Sequence, residues 1–173
     1  MIPFDQNLDL MFDVQRELIL GSTTISIDVT SPIDMIRVSA ADMLWDMFTV
    51  VLLDSSGMSI PIQKYQIDSD MQVVNIGLSR VVPKGQYTLH MEFGSAMRKD
   101  LMGCYISHSK DDQGNLHPFV VSQFEPNFAR TCFPTFDEPN VKMPFTIHLT
   151  APVNMDVLSN TKAVGVEMTA IDV

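Results

Sequence analysis

Cysteine is scarce in this sequence, whose 173 residues include only Cys104 and Cys132. Two cysteines cannot build the disulfide framework that is typical of small secreted domains. The first residues, MIPFDQNLDL, also lack the basic start and the long apolar core of a signal peptide. These features favour a reducing, cytoplasmic compartment, while a leader or membrane anchor preceding Met1 is left open.

Basic residues and long apolar runs are scarce as well. Eleven Lys and Arg stand against 21 Asp and Glu, which gives a formal net charge of −10. This balance argues against nucleic acid as a partner, because neutralising phosphates requires a Lys/Arg surface. The longest apolar run, around residues 50–53, is far too short to cross a bilayer, so we expect no transmembrane segment in these residues.

Alternation of apolar and polar residues is the strongest pattern that is present. In GQYTLHMEFG, Tyr87, Leu89, Met91 and Phe93 share one face of a predicted strand. This period of two indicates a strand with one buried face. Two other segments show the same arrangement, with apolar faces formed by Ile25, Ile27 and Val29 and by Phe145, Ile147 and Leu149.

Further strand candidates are separated by turn signals such as SSG, DSD and PKG. About ten short strands at this spacing favour an antiparallel β-sandwich over alternating strands and helices. We therefore predict an all-β fold, a single domain over residues 1–173, and at most short helical turns at residues 95–101 and 126–132. The additional predicted strands are residues 35–40, 48–53, 63–67, 72–78, 104–109, 117–123 and 164–173.

The residues offer no self-contained catalytic or metal site. H-E-x-x-H, a G-x-S-x-G elbow and a glycine-rich phosphate loop are all absent from the sequence. Cys104 and His108 would share a face of a strand, but their even separation says no more than that. We favour a buried cysteine and a surface histidine over a metal site.

Residues 122–147 differ from ordinary sandwich sequence, because charged residues, prolines and phenylalanines are concentrated there. A segment without ladder hydrogen bonds must be held by side chains. Arg130 and Asp137 are the obvious candidates for a charge-assisted pair. From these residues alone, a purely structural loop and a functional segment both remain open.

At this segment the sequence resembles the zinc aminopeptidases of peptidase family M1, in their N-terminal β domain. The family pattern T-Q-F-E-P-x-x-A-R-x-x-F-P-C-F-D-E-P is met by SQFEPNFARTCFPTFDEP. Upstream, YTLHMEFG and LMGCYISHSK are similar to the family's Y-x-L-x-I-x-F and L-x-G-x-Y-x-S. Downstream, PFTIHLTAPVNMDVLSN is similar to F-x-I-x-L-x-x-P followed by A-L-S-N. The resemblance covers nearly the whole chain.

The resemblance implies a saddle-like β-sandwich that closes one side of the cleft of a catalytic domain in the same parent chain. It implies that Gln123 lines the pocket for the first side chain of a peptide, and that Glu125 binds the free α-amino group at the peptide N-terminus. Zinc would be held by the parent enzyme's catalytic domain and not by these residues. Scaffolding roles are implied for Arg130, Asp137, Glu138 and Pro139.

The sequence departs from the family at several points. Thr135 stands where F-P-C-F-D-E-P has its cysteine, and Cys132 stands where Arg or Ala is common. The G-x-M-E-N motif, the H-E-x-x-H helix and the catalytic Tyr of the family do not occur in these residues, so we expect this chain alone to be inactive. One alternative is a non-catalytic homologue that serves as a peptide-binding or protein-interaction module. Another is an unrelated adhesion-type sandwich.

Overall fold

The computed structural model of the chain describes residues 1–168, which are organised almost entirely as β-strands. Two 3₁₀ turns, Trp45–Met47 and Ala129–Thr131, supply the helical structure of this region. No helix within residues 1–168 is long and apolar enough to cross a membrane. The strands are β1 (Ile2–Asp13), β2 (Leu18–Val29), β3 (Ile33–Ser39), β4 (Thr49–Asp54), β5 (Ser59–Ile60), β6 (Ile62–Asp68), β7 (Val73–Val82), β8 (Gly85–Ala96), β9 (Gly103–Lys110), β10 (Leu116–Gln123) and β11 (Phe145–Thr150).

These strands form three sheets, which confirms the predicted all-β class. The largest has six strands in the order β11-β1-β2-β8-β4-β5, the second has the order β3-β7-β6, and β9 and β10 form a separate hairpin. Neighbouring strands are antiparallel with one exception, since β11 runs parallel to β1. The chain must cross from the β9–β10 hairpin back to the edge of the large sheet to make this pair, and residues 124–144 are the connection.

The core lies between the six-stranded and three-stranded sheets. The apolar face predicted for β8 is buried along its length, and it continues the buried face of the neighbouring strand β2, in which Ile25 pairs with Leu89. Burying a side chain of this size contributes roughly 2 kcal/mol. The facing sheet supplies β-branched residues such as Ile36 and Ile76, which fit a pleated surface. One continuous buried cluster therefore joins the two sheets.

Strand β1 was missed as a strand by the sequence analysis, although Gln6, Leu8 and Leu10 alternate toward the core in it. A glutamine, Gln6, occupies the centre of this face and is completely buried. Its amide donates to Thr23 Oγ1 at 2.7 Å and to the Pro134 carbonyl at 3.1 Å, and its Oε1 accepts from Thr135 Oγ1 at 2.8 Å. A buried amide is tolerated only when its donors and acceptors are paired, and this network pairs them.

The predicted helical turn at residues 95–101 is wrong. Strand β8 continues to Ala96, and the backbone then stays extended enough for Met97 N to donate to the Glu17 carbonyl at 2.8 Å. Arg98 N donates in turn to the Cys104 carbonyl at 2.7 Å. These long-range backbone bonds outweigh the local helical tendency of the segment. The turn predicted at 126–132 is present in shorter form, as the 3₁₀ turn Ala129–Thr131.

Two expectations about the last part of the chain are corrected. Strand β11 exists, but Phe145 and Ile147 are 42% and 43% exposed because β11 is the outer strand of its sheet. Its alternation therefore does not mark a buried face. Residues 164–168 of the predicted last strand belong to no strand, and the rest of that prediction, residues 169–173, lies outside the described residues.

The Gln6 network yields a stability prediction. We expect Gln6→Ala to lower the free energy of unfolding by about 3 kcal/mol, because it leaves a cavity and removes the partners of Thr135 and the Pro134 carbonyl. Urea denaturation followed by circular dichroism measures the change. Asn7→Ala, at the exposed neighbouring position, is the matched control and should change stability by less than about 0.5 kcal/mol. Equal effects of the two variants would contradict the structural role of the network.

The loop of the β9–β10 hairpin yields a pH prediction. Hydrogen bonds from His117, then from Asn115, lower the pKa of Asp111 to about 2. Because this folded-state pKa lies below the unfolded value of 3.8, Asp111 stabilises the fold above about pH 4 and loses that contribution as the pH falls towards about 2. We expect Asp111→Asn to lose less stability than the wild type over that interval. Urea titrations at several pH values test this, and parallel pH profiles would refute it.

Candidate functional site

The candidate site begins where strand β10 ends. Gln123 is the last residue of β10 and pairs with Gly103, the first residue of β9. Its side chain is exposed. Beyond this pair the ladder stops, so the chain that follows is positioned by turns and side-chain contacts. Gln123 therefore stands at the border between a fixed strand and the connecting segment.

Glu125 lies in the tight turn that follows. Phe128 N donates to the Phe124 carbonyl at 2.8 Å, and the Glu125–Pro126 peptide is cis. The Phe124 ring packs edge-to-face on Phe133, with centroids 5.7 Å apart. Edge-to-face pairs of this kind contribute about 1 kcal/mol beyond area burial. The turn thus has an apolar side held against the core and an opposite side that carries Glu125 into solvent.

Arg98 supports the same turn from the side of β9. Its guanidinium lies over the ring of Phe128, 5.8 Å from the ring centroid, and forms ion pairs with Asp100 and Asp42. The hydrogen bond from Arg98 holds the pKa of Asp100 below its ordinary value. The cation and its two carboxylates form a small network that covers one side of Phe128.

Arg130 and Asp137 form the pair expected from the sequence. Arg130 Nε donates to Asp137 Oδ2 at 3.1 Å, and Arg130 Nη2 donates to the Asp137 carbonyl at 3.3 Å. The backbone N of Arg130 also donates to Asp137 Oδ2, at 3.2 Å. The side chains are only 11% and 13% exposed, so water screens this pair poorly. It closes residues 130–137 into a compact loop.

Thr135 connects this loop to both sheets. Its backbone N donates to the Ser39 carbonyl at 3.0 Å and its own carbonyl accepts from Ser39 N at 2.9 Å, which joins it to β3. Its hydroxyl donates to Gln6 in β1. Glu138 accepts a 3.4 Å hydrogen bond from Ser39 Oγ, whereas Pro139 is exposed. The connecting segment is therefore anchored at its middle to two different strands.

The structure brings Gln123 and Glu125 to one exposed stretch, where neither side chain has a hydrogen-bond partner among residues 1–168. The Glu125 carboxylate takes part in none of the ion pairs of residues 1–168. Cys104 is buried and His108 is exposed, so these two do not converge. Within the described residues no three His, Cys, Asp or Glu side chains are grouped as metal ligands would be.

Sequence reasoning missed the contacts that hold the site from a distance. Gln6 and Thr23, which fix Thr135 through the buried amide, were not singled out. A signal was available for Gln6, because it shares the parity of Leu8 and Leu10 and so falls on the apolar face of β1. The contact between the two cysteines was missed as well, and no local pattern indicates it.

The strands and sheets define the chain as an all-β domain. Comparisons with known proteins give its family. The family described as the peptidase M1 N-terminal domain matches residues 2–171. Aminopeptidase M1-B of Oryza sativa subsp. japonica is 30% identical over 158 residues, 91% of this chain and 17% of that protein. Puromycin-sensitive aminopeptidase of Caenorhabditis elegans is 29% identical over 147 residues, 82% of this chain and 15% of that protein.

The chain therefore belongs to the peptidase M1 N-terminal domain family. It spans less than a fifth of the length of these aminopeptidases. Aminopeptidase Q of Felis catus adds a shorter match, 32% identical over 107 residues, 61% of this chain and 11% of that protein.

The Arg130–Asp137 pair yields a prediction about the stability of the site. We expect Asp137→Ala to lower the free energy of unfolding by about 3 kcal/mol, because it leaves the poorly solvated Arg130 guanidinium without its acceptor. Asp13→Ala is the control: its partner Arg16 is 68% exposed, so the loss should stay below about 1 kcal/mol. Chemical denaturation of both variants measures the difference, and similar losses would show that Asp137 does not hold the loop.

Proposed function

We propose that this chain forms one wall of the substrate cleft of a zinc aminopeptidase, which removes N-terminal residues from peptides. In this proposal the Glu125 carboxylate accepts hydrogen bonds from the free α-ammonium group of the substrate. Gln123 contacts the first side chain. The observation that supports the proposal is an exposed, unneutralised carboxylate on a segment that is otherwise firmly anchored.

The chemistry of an ammonium group favours a carboxylate at this position. A cation that leaves water for a cleft needs an acceptor of opposite charge at hydrogen-bonding distance, and charge-assisted hydrogen bonds are the strong ones. The cation nearest in sequence, Arg130, directs its Nε and Nη2 to Asp137 instead. Glu125 is thus available for a ligand, and its acceptor oxygens sit on a turn whose apolar side is fixed by Phe124.

Fixing the chain end also accounts for the removal of one residue at a time. If Glu125 holds the α-amino group, the first peptide bond lies at a constant distance from the opposite wall of the cleft. Orientation of this kind lowers the activation barrier only when the holding group is itself rigid. The ion pair of Arg130 and the bonds of Thr135 provide that rigidity.

The opposite wall belongs, in this proposal, to the catalytic domain of the same parent chain. Zinc would be bound there, where it activates water and polarises the carbonyl. A cytoplasmic location is part of the proposal, since two cysteines cannot build the disulfide framework that is typical of small secreted domains. The partners are thus peptide N-termini and the catalytic domain.

The test uses the complete parent enzyme carrying Glu125→Gln. We expect kcat/KM for aminoacyl anilides to fall roughly ten- to hundredfold, because the ammonium group loses a negatively charged acceptor and keeps only a neutral amide oxygen. The effect should vanish with an analogue that carries a hydroxyl in place of the α-amino group. Asp112→Asn, an exposed carboxylate in the β9–β10 loop, is the control and should behave as wild type.

Two results would count against the proposal. Unchanged discrimination between the amine and the hydroxyl analogue in the Glu125→Gln enzyme would remove Glu125 from substrate binding. A complete parent protein that binds peptides but shows no turnover in the presence of zinc would favour the alternative, a non-catalytic peptide-binding module.

Gln123 gives a separate prediction in the same enzyme. We expect Gln123→Ala to change the relative kcat/KM among substrates that differ in their first side chain, by roughly tenfold, since one hydrogen bond or contact is lost. The preference for a free α-amino group should be retained. Comparing a panel of aminoacyl anilides measures the effect, and an equal change for every substrate would rule out a role in the side-chain pocket.

A further inference from the structure

The two cysteines of the chain lie against each other in the core. Cys104 is the second residue of β9 and is 3% exposed, and Cys132, which follows the 3₁₀ turn, is 0% exposed. The Cys132 thiol donates a hydrogen bond to Cys104 Sγ, with the sulfurs 3.2 Å apart. Both are free thiols. They are 28 residues apart in the sequence, so tertiary structure alone brings them together.

The backbone around the thiols is held on both sides. Gly103 has a φ of +66°, and a Cβ at that position would lie 2.4 Å from Thr131 Oγ1, so β9 begins in direct contact with the 3₁₀ turn. Ser95 Oγ donates to the Cys132 carbonyl at 3.1 Å. The proximity of the sulfurs thus follows from fixed main-chain positions rather than from a chance rotamer of one side chain.

We propose that Cys104 and Cys132 are a site of reversible oxidation, at which an intramolecular disulfide fastens the segment carrying Gln123 and Glu125 to the start of β9. The geometry supports this effect. Cys104 is paired in the β9–β10 ladder with Ser122, immediately before Gln123. A bond from Cys104 to Cys132 would therefore hold residues 123–131 at both ends. Formation of the disulfide is independent of the proposed function, and only its consequence for substrate binding rests on that function.

Forming the disulfide needs an oxidant, and a small-molecule disulfide can accept the two electrons. One cysteine thiolate attacks a sulfur of the reagent, breaks its S–S bond and releases one thiol. The second cysteine thiolate then attacks the mixed disulfide, forms the Cys104–Cys132 bond and releases the other thiol. The two cysteines lose two protons and two electrons, and the reagent is reduced to two thiols. The sulfurs have to approach by only about 1 Å.

The site should react slowly at neutral pH and faster in alkali. The hydrogen bond to Cys104, followed by burial, raises the pKa of the Cys132 thiol, and only the thiolate is nucleophilic. Access for the reagent requires local opening of the segment above the thiols. We therefore expect this thiol pair to stay reduced during brief exposure to an oxidant and to be oxidised only when the exposure is prolonged.

The test uses the 173-residue chain and 2-hydroxyethyl disulfide. After incubation over a range of pH, the remaining thiols are blocked with N-ethylmaleimide in denaturant, and the protein is analysed by intact mass and peptide mapping. We expect a monomer that is lighter by two hydrogen atoms, has no blocked thiol and yields a Cys104–Cys132 linked peptide. Its melting temperature should rise by on the order of 10 °C and return to the original value with dithiothreitol.

Cys104→Ala is the matched control, since it keeps Cys132 but removes its partner. The control should take up one reagent or one N-ethylmaleimide group and show no such rise in melting temperature. Full blocking of both thiols in the treated wild-type chain, or disulfides only between chains, would overturn the proposal. A linked peptide without a higher melting temperature would overturn the fastening of the segment. None of these readouts depends on peptidase activity, so the proposal can fail while the proposed function stands.

Discussion

The position of the connecting segment depends on the hydrogen bonds of Thr135. Between β10 and β11 the chain has no continuous ladder, so its folding entropy must be offset by a few fixed points. Thr135 supplies one by bonding Ser39 in β3 through its backbone and Gln6 in β1 through its hydroxyl. Because these strands belong to different sheets, one residue ties the segment to both layers of the core.

The buried amide of Gln6 explains why this anchor is specific. An unpaired amide in the core is destabilising by a few kcal/mol, so the segment can adopt only a position that supplies the Thr135 hydroxyl and the Pro134 carbonyl. A leucine at the same place would pack without hydrogen bonds, so it would not require one particular position of the segment. The polar network thus exchanges some stability for a unique register, and the Arg130–Asp137 pair then fixes the loop around it.

The sequence predicted the regular strands well because alternation is a local property. Tyr87, Leu89, Met91 and Phe93 were expected to face the core and do so. Alternation does not show, however, whether another element covers the apolar face of a strand. Strand β11 is an example, because it is an outer strand in which Phe145 and Ile147 are exposed. In β1 the central Gln6 interrupted the apolar pattern, although its burial is what holds the segment.

The candidate site was predictable only where its residues are close in sequence. Arg130 and Asp137 are seven residues apart, and their charges suggested the pair. Thr135 and Gln6 are 129 residues apart, and Cys104 and Cys132 are 28 apart, so neither contact could be inferred before the sheets were assembled. The motif located the segment, and packing determined what holds it.

Glu125 differs from the other charged side chains of the connecting segment in its surroundings. Every other charged side chain named in residues 125–138 has a partner: Arg130 with Asp137, and Glu138 with Ser39. Glu125 is left exposed on a turn whose apolar side rests on Phe133 through Phe124. A carboxylate held in place without a neutralising neighbour is preorganised for an external cation, because little ordering remains to be done when the ligand binds. The same rigidity that fixes the fold therefore supports the proposed role of this position in binding a substrate's α-ammonium group.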